Sequence, residues 1–272
     1  MVSPIESRAA RAVTPGPGGA MVWRSWGDGP PLLLLHGASG SWTHWIRNVL
    51  PLATRFRVLA PDMPGFGDSD APPEPHTADG LADLVAAGLD AVLPPPAELD
   101  LAGFSFGGII GGLVAARLGP RIRRLVLLGA GGLGLGAPPP RALLRTESTM
   151  SPEEIRQVHR ENLRILMLGS PESADDLAVA LQIENLKRAR FKSGTIPQSD
   201  VLRRALPAIR ARIAGIWGAR DAFMGERLEE IRGVLASAQP DLDFRVLAGA
   251  GHWTPYEAPD QVNAALLDLL AR

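Results

Sequence analysis

Gly103-Phe104-Ser105-Phe106-Gly107 places a serine between two glycines in the pattern G-x-S-x-G. A serine hydroxyl in that setting is a candidate nucleophile for acyl transfer. Five residues are a short pattern, and their weight comes from where they sit. An apolar run over 98–104 ends there, and an apolar stretch over 106–118 begins just after it. A strand-to-helix corner that tight forces strained backbone at the serine, while the flanking glycines let neighbouring chain pass without a Cβ clash. The hydroxyl is then presented at the carboxyl edge of a sheet.

A hydroxyl is a weak nucleophile without a base. The candidates are His36, His44, His76, His159 and His252. His252 lies in Gly249-Ala250-Gly251-His252-Trp253, just beyond the last apolar run, and can reach back over the sheet edge. His36 precedes a tight turn and is expected to brace it. Asp221, in Gly218-Ala219-Arg220-Asp221 one run earlier, is placed to accept from the ring N–H of His252 and stabilise the imidazolium. Glu226 and Asp241 are its alternatives. A developing oxyanion needs preorganised donors. The Phe106 N–H at the start of the helix is one; the Ala38 N–H, in His36-Gly37-Ala38-Ser39-Gly40, is the expected second.

These residues need a frame. Apolar runs over 31–36, 56–60, 98–104, 124–129, 212–217 and 243–247 are short and bounded by Gly or Pro, as in strands buried on both faces. A further edge strand is expected around Met21–Trp26. Helical patterns over 78–93, 106–118, 226–237 and 259–271 alternate with the runs. That alternation predicts an α/β fold with a mostly parallel central sheet flanked by helices. One interval breaks the rhythm. After 124–129 the chain does not return to a strand until about 212, and Ser151 followed by Pro152 looks like a helix start. The expected division is a flexible leading segment 1–19, a core of 20–133 and 206–272, and an inserted helical cap 134–205 over the carboxyl ends of the strands.

Composition removes other classes. The 272 residues include no cysteine, so disulfide scaffolds, thiolate metal sites and cysteine nucleophiles are excluded. Lys+Arg 28 against Asp+Glu 29 leaves net charge −1, with no excess to draw nucleic acid or anionic lipid. The N-terminus has no apolar core of a secretory signal, and no run is long enough to span a bilayer, so a cytoplasmic location is expected. Gly129-Ala130-Gly131-Gly132-Leu133-Gly134 fits G-x-G-x-x-G, but Pro138-Pro139-Pro140 follows it, so no helix N-terminus is expected to meet a phosphate there. Asp62, Asp68 and Asp70 sit among Pro64, Gly65 and Gly67 without histidines and are expected to shape a loop.

LLLLHGASG, VLAPDMPGFGDSD, GFSFGG, WGARD and GAGHW together resemble the α/β-hydrolase superfamily over the chain from about residue 20. The order Ser105, Asp221, His252 is that of its nucleophile, acid and base. A serine at position 105 disfavours members that use aspartate there. Parts of the chain are similar to the meta-cleavage-product C–C hydrolases. That likeness implies a substrate-facing Trp253 after the histidine and a cap arginine, Arg188 or Arg190, that binds a carboxylate. The family usually has Asn before the nucleophile, where this chain has Phe104.

The expected function is hydrolysis of a small, fairly apolar carboxylic ester through an acyl-enzyme on Ser105, with no metal or organic cofactor. Phe104, Phe106 and Trp42 favour an apolar pocket. C–C hydrolysis of a 2-hydroxy-6-oxo-dienoate is the alternative. Perhydrolysis on the same three residues and a non-catalytic hydrolase-fold binding protein are the other rivals. The expected partner is a small molecule rather than nucleic acid or membrane, with a homodimer left open.

Overall fold

Successive leucines of one strand point into two different cores. In a computed structural model, which describes residues 2–136 and 141–271, Leu32 to Leu35 are all fully buried. Leu33 and Leu35 pack into the apolar layer on one face of the sheet, and Leu32 and Leu34 into the layer on the other. Side chains alternate across a strand, so a run of consecutive leucines needs cover on both faces.

The strands are β1 (Ala10–Gly16), β2 (Gly19–Trp26), β3 (Pro31–Leu35), β4 (Arg57–Asp62), β5 (Leu99–Phe104), β6 (Ile122–Leu128), β7 (Arg212–Gly218) and β8 (Asp243–Leu247). The helices are α1 (Ser3–Glu6), α2 (Val49–Leu52), α3 (Ala78–Val92), α4 (Phe106–Leu118), α5 (Pro152–Leu166), α6 (Asp176–Arg188), α7 (Val201–Ala205), α8 (Leu228–Ala238), α9 (Thr254–Glu257) and α10 (Pro259–Ala271). One eight-stranded sheet has the order β1-β2-β4-β3-β5-β6-β7-β8. From β4 to β8 all neighbours are parallel; β1 and β2 are antiparallel additions. This is the α/β-hydrolase fold. Over Phe106–Ala115, helix α4 is apolar on every side and buried against the sheet, which its sequence anticipates.

Two sequence expectations change at the N-terminus. Residues 10–16, expected within a flexible leading segment, form β1 and pair with β2 from Ala10–Ser25 to Gly16–Gly19. The run Met21–Trp26 therefore lies in the second strand rather than at the edge. Only Thr14 of β1 is buried, where its Oγ1 accepts the Trp23 indole N–H at 3.0 Å. An edge strand with so little apolar content carries no sequence signal.

Helices α5, α6 and α7 all belong to the segment between β6 and β7. Ser151 and Glu154 cap α5 reciprocally, with Glu154 accepting the Ser151 N–H at 2.7 Å. Several bonds tie the segment to the carboxyl edge of the sheet. Asn185 Oδ1 accepts the Ser41 hydroxyl at 2.8 Å, Arg47 pairs with Asp175 at 2.7 Å, and Gly65 O accepts the Arg190 N–H at 2.7 Å. The stretch 137–140, which holds the three prolines noted above, lies outside the described residues.

Candidate active site

Parallel strands end on the same side, so residues that follow β3, β5, β7 and β8 share one edge of the sheet. Ser105 follows β5 at once. Its backbone has φ +52° and ψ −117°, a left-handed conformation that costs a serine on the order of 1–3 kcal/mol. The Ser105 N–H donates to Leu128 O at 2.7 Å, and α4 starts at the next residue. The corner works only if Gly107 stays a glycine. A Cβ there would come within 2.3 Å of Leu35 O and 2.5 Å of His36 O.

His252 lies in the loop after β8. Its Nε2 is 2.9 Å from Ser105 Oγ, and its Nδ1 is 2.7 Å from Asp221 Oδ2. Asp221 and His252 are both buried. The other Asp221 oxygen accepts the N–H groups of Phe223 at 2.8 Å and Met224 at 3.2 Å. Burial alone would raise the Asp221 pKa, but His252 and these two donors outweigh it and hold the carboxyl below its ordinary value. The carboxylate is therefore ionised at neutral pH. It fixes the proton on Nδ1 and leaves the Nε2 lone pair for the serine hydroxyl. The three side chains placed far apart by the sequence thus meet in one line.

The turn after β3 lies alongside. The N–H groups of Ala38 and Phe106 have no hydrogen-bond partner among the described residues, and both residues line the cavity that opens on Ser105. His36 braces this turn, as its position implies. Its Nδ1–H donates to Gly37 O at 2.8 Å, and its Nε2 accepts the Met63 N–H at 2.9 Å. His44 does related work. Its Nδ1 accepts the Gly37 N–H at 3.1 Å, and its carbonyl accepts the Trp253 indole N–H at 3.0 Å. Burial, then the nearby His36 and His252, hold the His44 imidazole well below the usual histidine range, so it is neutral.

The cavity beside Ser105 and His252 has a volume of about 170 Å³. Phe106, Ile109, Phe223, Met224 and Pro197 line it with apolar side chains, and Gln198 adds one amide. Phe223 stands edge-on to the His252 ring, 4.6 Å between centroids. The sequence reading missed Phe223 and Met224. Their signal was the turn itself, since a buried acid that accepts from the next N–H groups draws the following side chains to the site.

The five other residues expected in the pocket do not line this cavity. Phe104 is fully buried and packs between His44 and His252 at 5.4 and 5.2 Å. Trp253 is fully buried and stacks on Tyr256 at 4.4 Å. Trp42 packs on Trp26 at 5.2 Å, with the Arg24 guanidinium 5.5 Å from its ring. Arg188 is paired with Asp68 at 2.6 Å, and Arg190 donates to Gly67 O at 3.2 Å and to Ser69 O. Both arginines thus bind the loop after β4. The aspartates of that loop are also engaged: Asp62 and Asp68 both hold the buried Arg24. Among the described residues no group of three or more His, Asp or Glu could hold a metal ion. No described helix is long and apolar enough to cross a membrane.

The profile of the alpha/beta hydrolase family matches residues 32–265. The chain is 29% identical over 262 residues to 2-hydroxy-6-oxo-6-phenylhexa-2,4-dienoate hydrolase of Burkholderia cepacia, covering 90% of this chain and 89% of that protein. It is 30% identical over 259 residues to the dihydrolipoyllysine-residue acetyltransferase component of the acetoin cleaving system of Pseudomonas putida, covering 90% of this chain and 64% of that one. Among solved structures, a thermophilic esterase from Thermogutta terrifontis superposes with TM-score 0.69 at 26% identity, covering 97% of this chain and 98% of that one. A meta-cleavage product hydrolase superposes with TM-score 0.75 at 22% identity, covering 96% and 97%, a likeness of fold.

Proposed function

The chain belongs to the alpha/beta hydrolase family, and we propose that it is a serine hydrolase of small, fairly apolar carboxylic esters. One observation carries this reading: the line Asp221, His252, Ser105 opens on a small apolar cavity with no arginine among its described lining residues.

In the proposed reaction Ser105 Oγ attacks the ester carbonyl carbon while its proton passes to His252 Nε2. The ionised Asp221 stabilises the resulting imidazolium. The carbonyl oxygen, now negative, accepts from the Ala38 and Phe106 N–H groups, backbone donors of the kind that stabilise a developing oxyanion. As the tetrahedral adduct collapses, His252 gives its proton to the departing alkoxide. A water then repeats the sequence on the acyl-enzyme, with His252 taking its proton, and frees the acid and Ser105. Helices α5 to α7 serve as the cap of this site, within a segment read as 134–205. The setting proposed is the cytoplasm.

A second reading is C–C bond hydrolysis of a dienoate. The relative from Burkholderia cepacia, named for that substrate, favours it. Against it stand Arg188 and Arg190, whose guanidinium groups are bound to the loop after β4. Side-by-side kinetics separate the two. Turnover of p-nitrophenyl butyrate well above that of a 2-hydroxy-6-oxo-dienoate chromophore supports the ester reading, and the reverse order replaces it.

A further inference from the structure

The proposed mechanism uses the His252 imidazole, but a carboxylate outside the reacting groups holds the loop that carries it. Glu257 closes helix α9. Its Oε2 accepts the N–H of Gly251 at 2.6 Å and that of Gly169 at 2.9 Å. Its Oε1 accepts the N–H of Ser170 at 2.8 Å. Gly251 directly precedes His252, while Gly169 and Ser170 lie in the connection between α5 and α6. One side chain thus fixes peptide planes from two segments far apart in the chain.

The two backbones meet closely. A Cβ on Gly169 would lie 2.7 Å from Gly251 N, and one on Gly251 would lie 2.4 Å from Gly169 N. Other bonds cross the same seam. Trp253 N–H donates to Met167 O at 2.7 Å, and Arg220 donates to Gly169 O at 3.1 Å. Three N–H groups converging on one side chain call for a group that accepts on both oxygens and donates nowhere. An ionised carboxylate does this; an isosteric amide must turn an NH₂ toward one of the donors.

We propose that Glu257 is a positioning residue: it clamps the His252 loop to the α5–α6 connection and so sets the reach of the imidazole to Ser105. The proposal rests on the reading of Ser105 and His252 as nucleophile and base.

The test uses the full chain and its E257Q and E257A variants, with p-nitrophenyl butyrate as substrate. Active sites are titrated with an organofluorophosphonate, so that kcat refers to folded, competent molecules. In E257Q, kcat is expected to fall about 10- to 100-fold, since small displacements of a catalytic group cost that much. KM should stay within about twofold, because Glu257 does not line the cavity. Formate added to E257A should restore kcat several-fold by supplying the missing acceptor oxygens, and leave the wild-type chain unchanged. A contact that only supports the fold would lower the melting temperature and the titrated fraction, with no response to formate. The proposal is overturned if E257Q keeps its wild-type kcat per titrated site. If E257Q does not fold, absence of formate rescue in E257A overturns it. S105A is run alongside: should S105A stay active, the nucleophile reading falls and takes the clamp with it, whereas a dead S105A beside a fully active E257Q sinks the clamp alone.

Discussion

His252 Nε2 lies 2.9 Å from Ser105 Oγ although 147 residues separate the two in the chain. Four parallel strands and a buried helix hold that short distance. Changes that disturb the corner, the acid or the cavity should have different signatures.

Asp221→Asn tests the acid. The amide still fits, but its NH₂ competes for Nδ1 and favours the wrong tautomer of His252. Ester turnover is expected to fall on the order of 10³- to 10⁴-fold with KM little changed. Stability adds a second readout. The folded-state pKa of Asp221 is depressed, so its contribution is fully present above the unfolded value of about 4 and is lost as pH falls through the folded value. Urea midpoints of wild type and D221N should therefore differ at pH 6 and converge as pH drops below that window. A constant difference at every pH would contradict the assignment.

Gly107→Ala tests the corner. The added methyl meets the carbonyl oxygens of Leu35 and His36, which are backbone and cannot swing away. A loss of about 3 kcal/mol is expected by urea denaturation, at the upper end for overpacking, together with loss of ester turnover. An unchanged midpoint would show that the strand and helix meet differently there.

Much of this corner is legible in sequence, and the reasons are local. Leu32–Leu35 and Leu99–Phe104 read as buried strands because such runs are short and bounded by Gly or Pro, the pattern of a sheet covered on both faces. Ser105, Asp221 and His252 each stand just past such a run, so the sheet's direction brings them to one edge. Strand β1 is not legible, because all but one of its residues face solvent. Nor is the cavity wall. Pro197 and Gln198 reach it from a short turn fixed by Gly132 N–H donating to Pro197 O at 2.8 Å, a pairing that no periodicity announces. Arg188 and Arg190 carry the right charge for a carboxylate, yet Asp68 and two backbone carbonyls hold them. Residue type alone does not reveal which partner a cation takes.

Phe223→Ala tests the cavity. The ring borders a space of about 170 Å³, which suits a short acyl group. Removing it should raise the ratio of kcat/KM for p-nitrophenyl octanoate over butyrate by about tenfold, since each methylene accommodated in an apolar pocket has an effect of that order. An unchanged ratio would place the acyl group elsewhere.

The most direct measurement is covalent labelling of the intact chain with an organofluorophosphonate, read by mass spectrometry and followed in parallel by ester turnover. A single adduct should form, map to the peptide that holds Ser105, and grow in step with the loss of activity, while Ser105→Ala neither labels nor hydrolyses p-nitrophenyl butyrate. Full esterase activity in Ser105→Ala, or an inactivating adduct on another residue, would contradict the assignment of Ser105 as nucleophile.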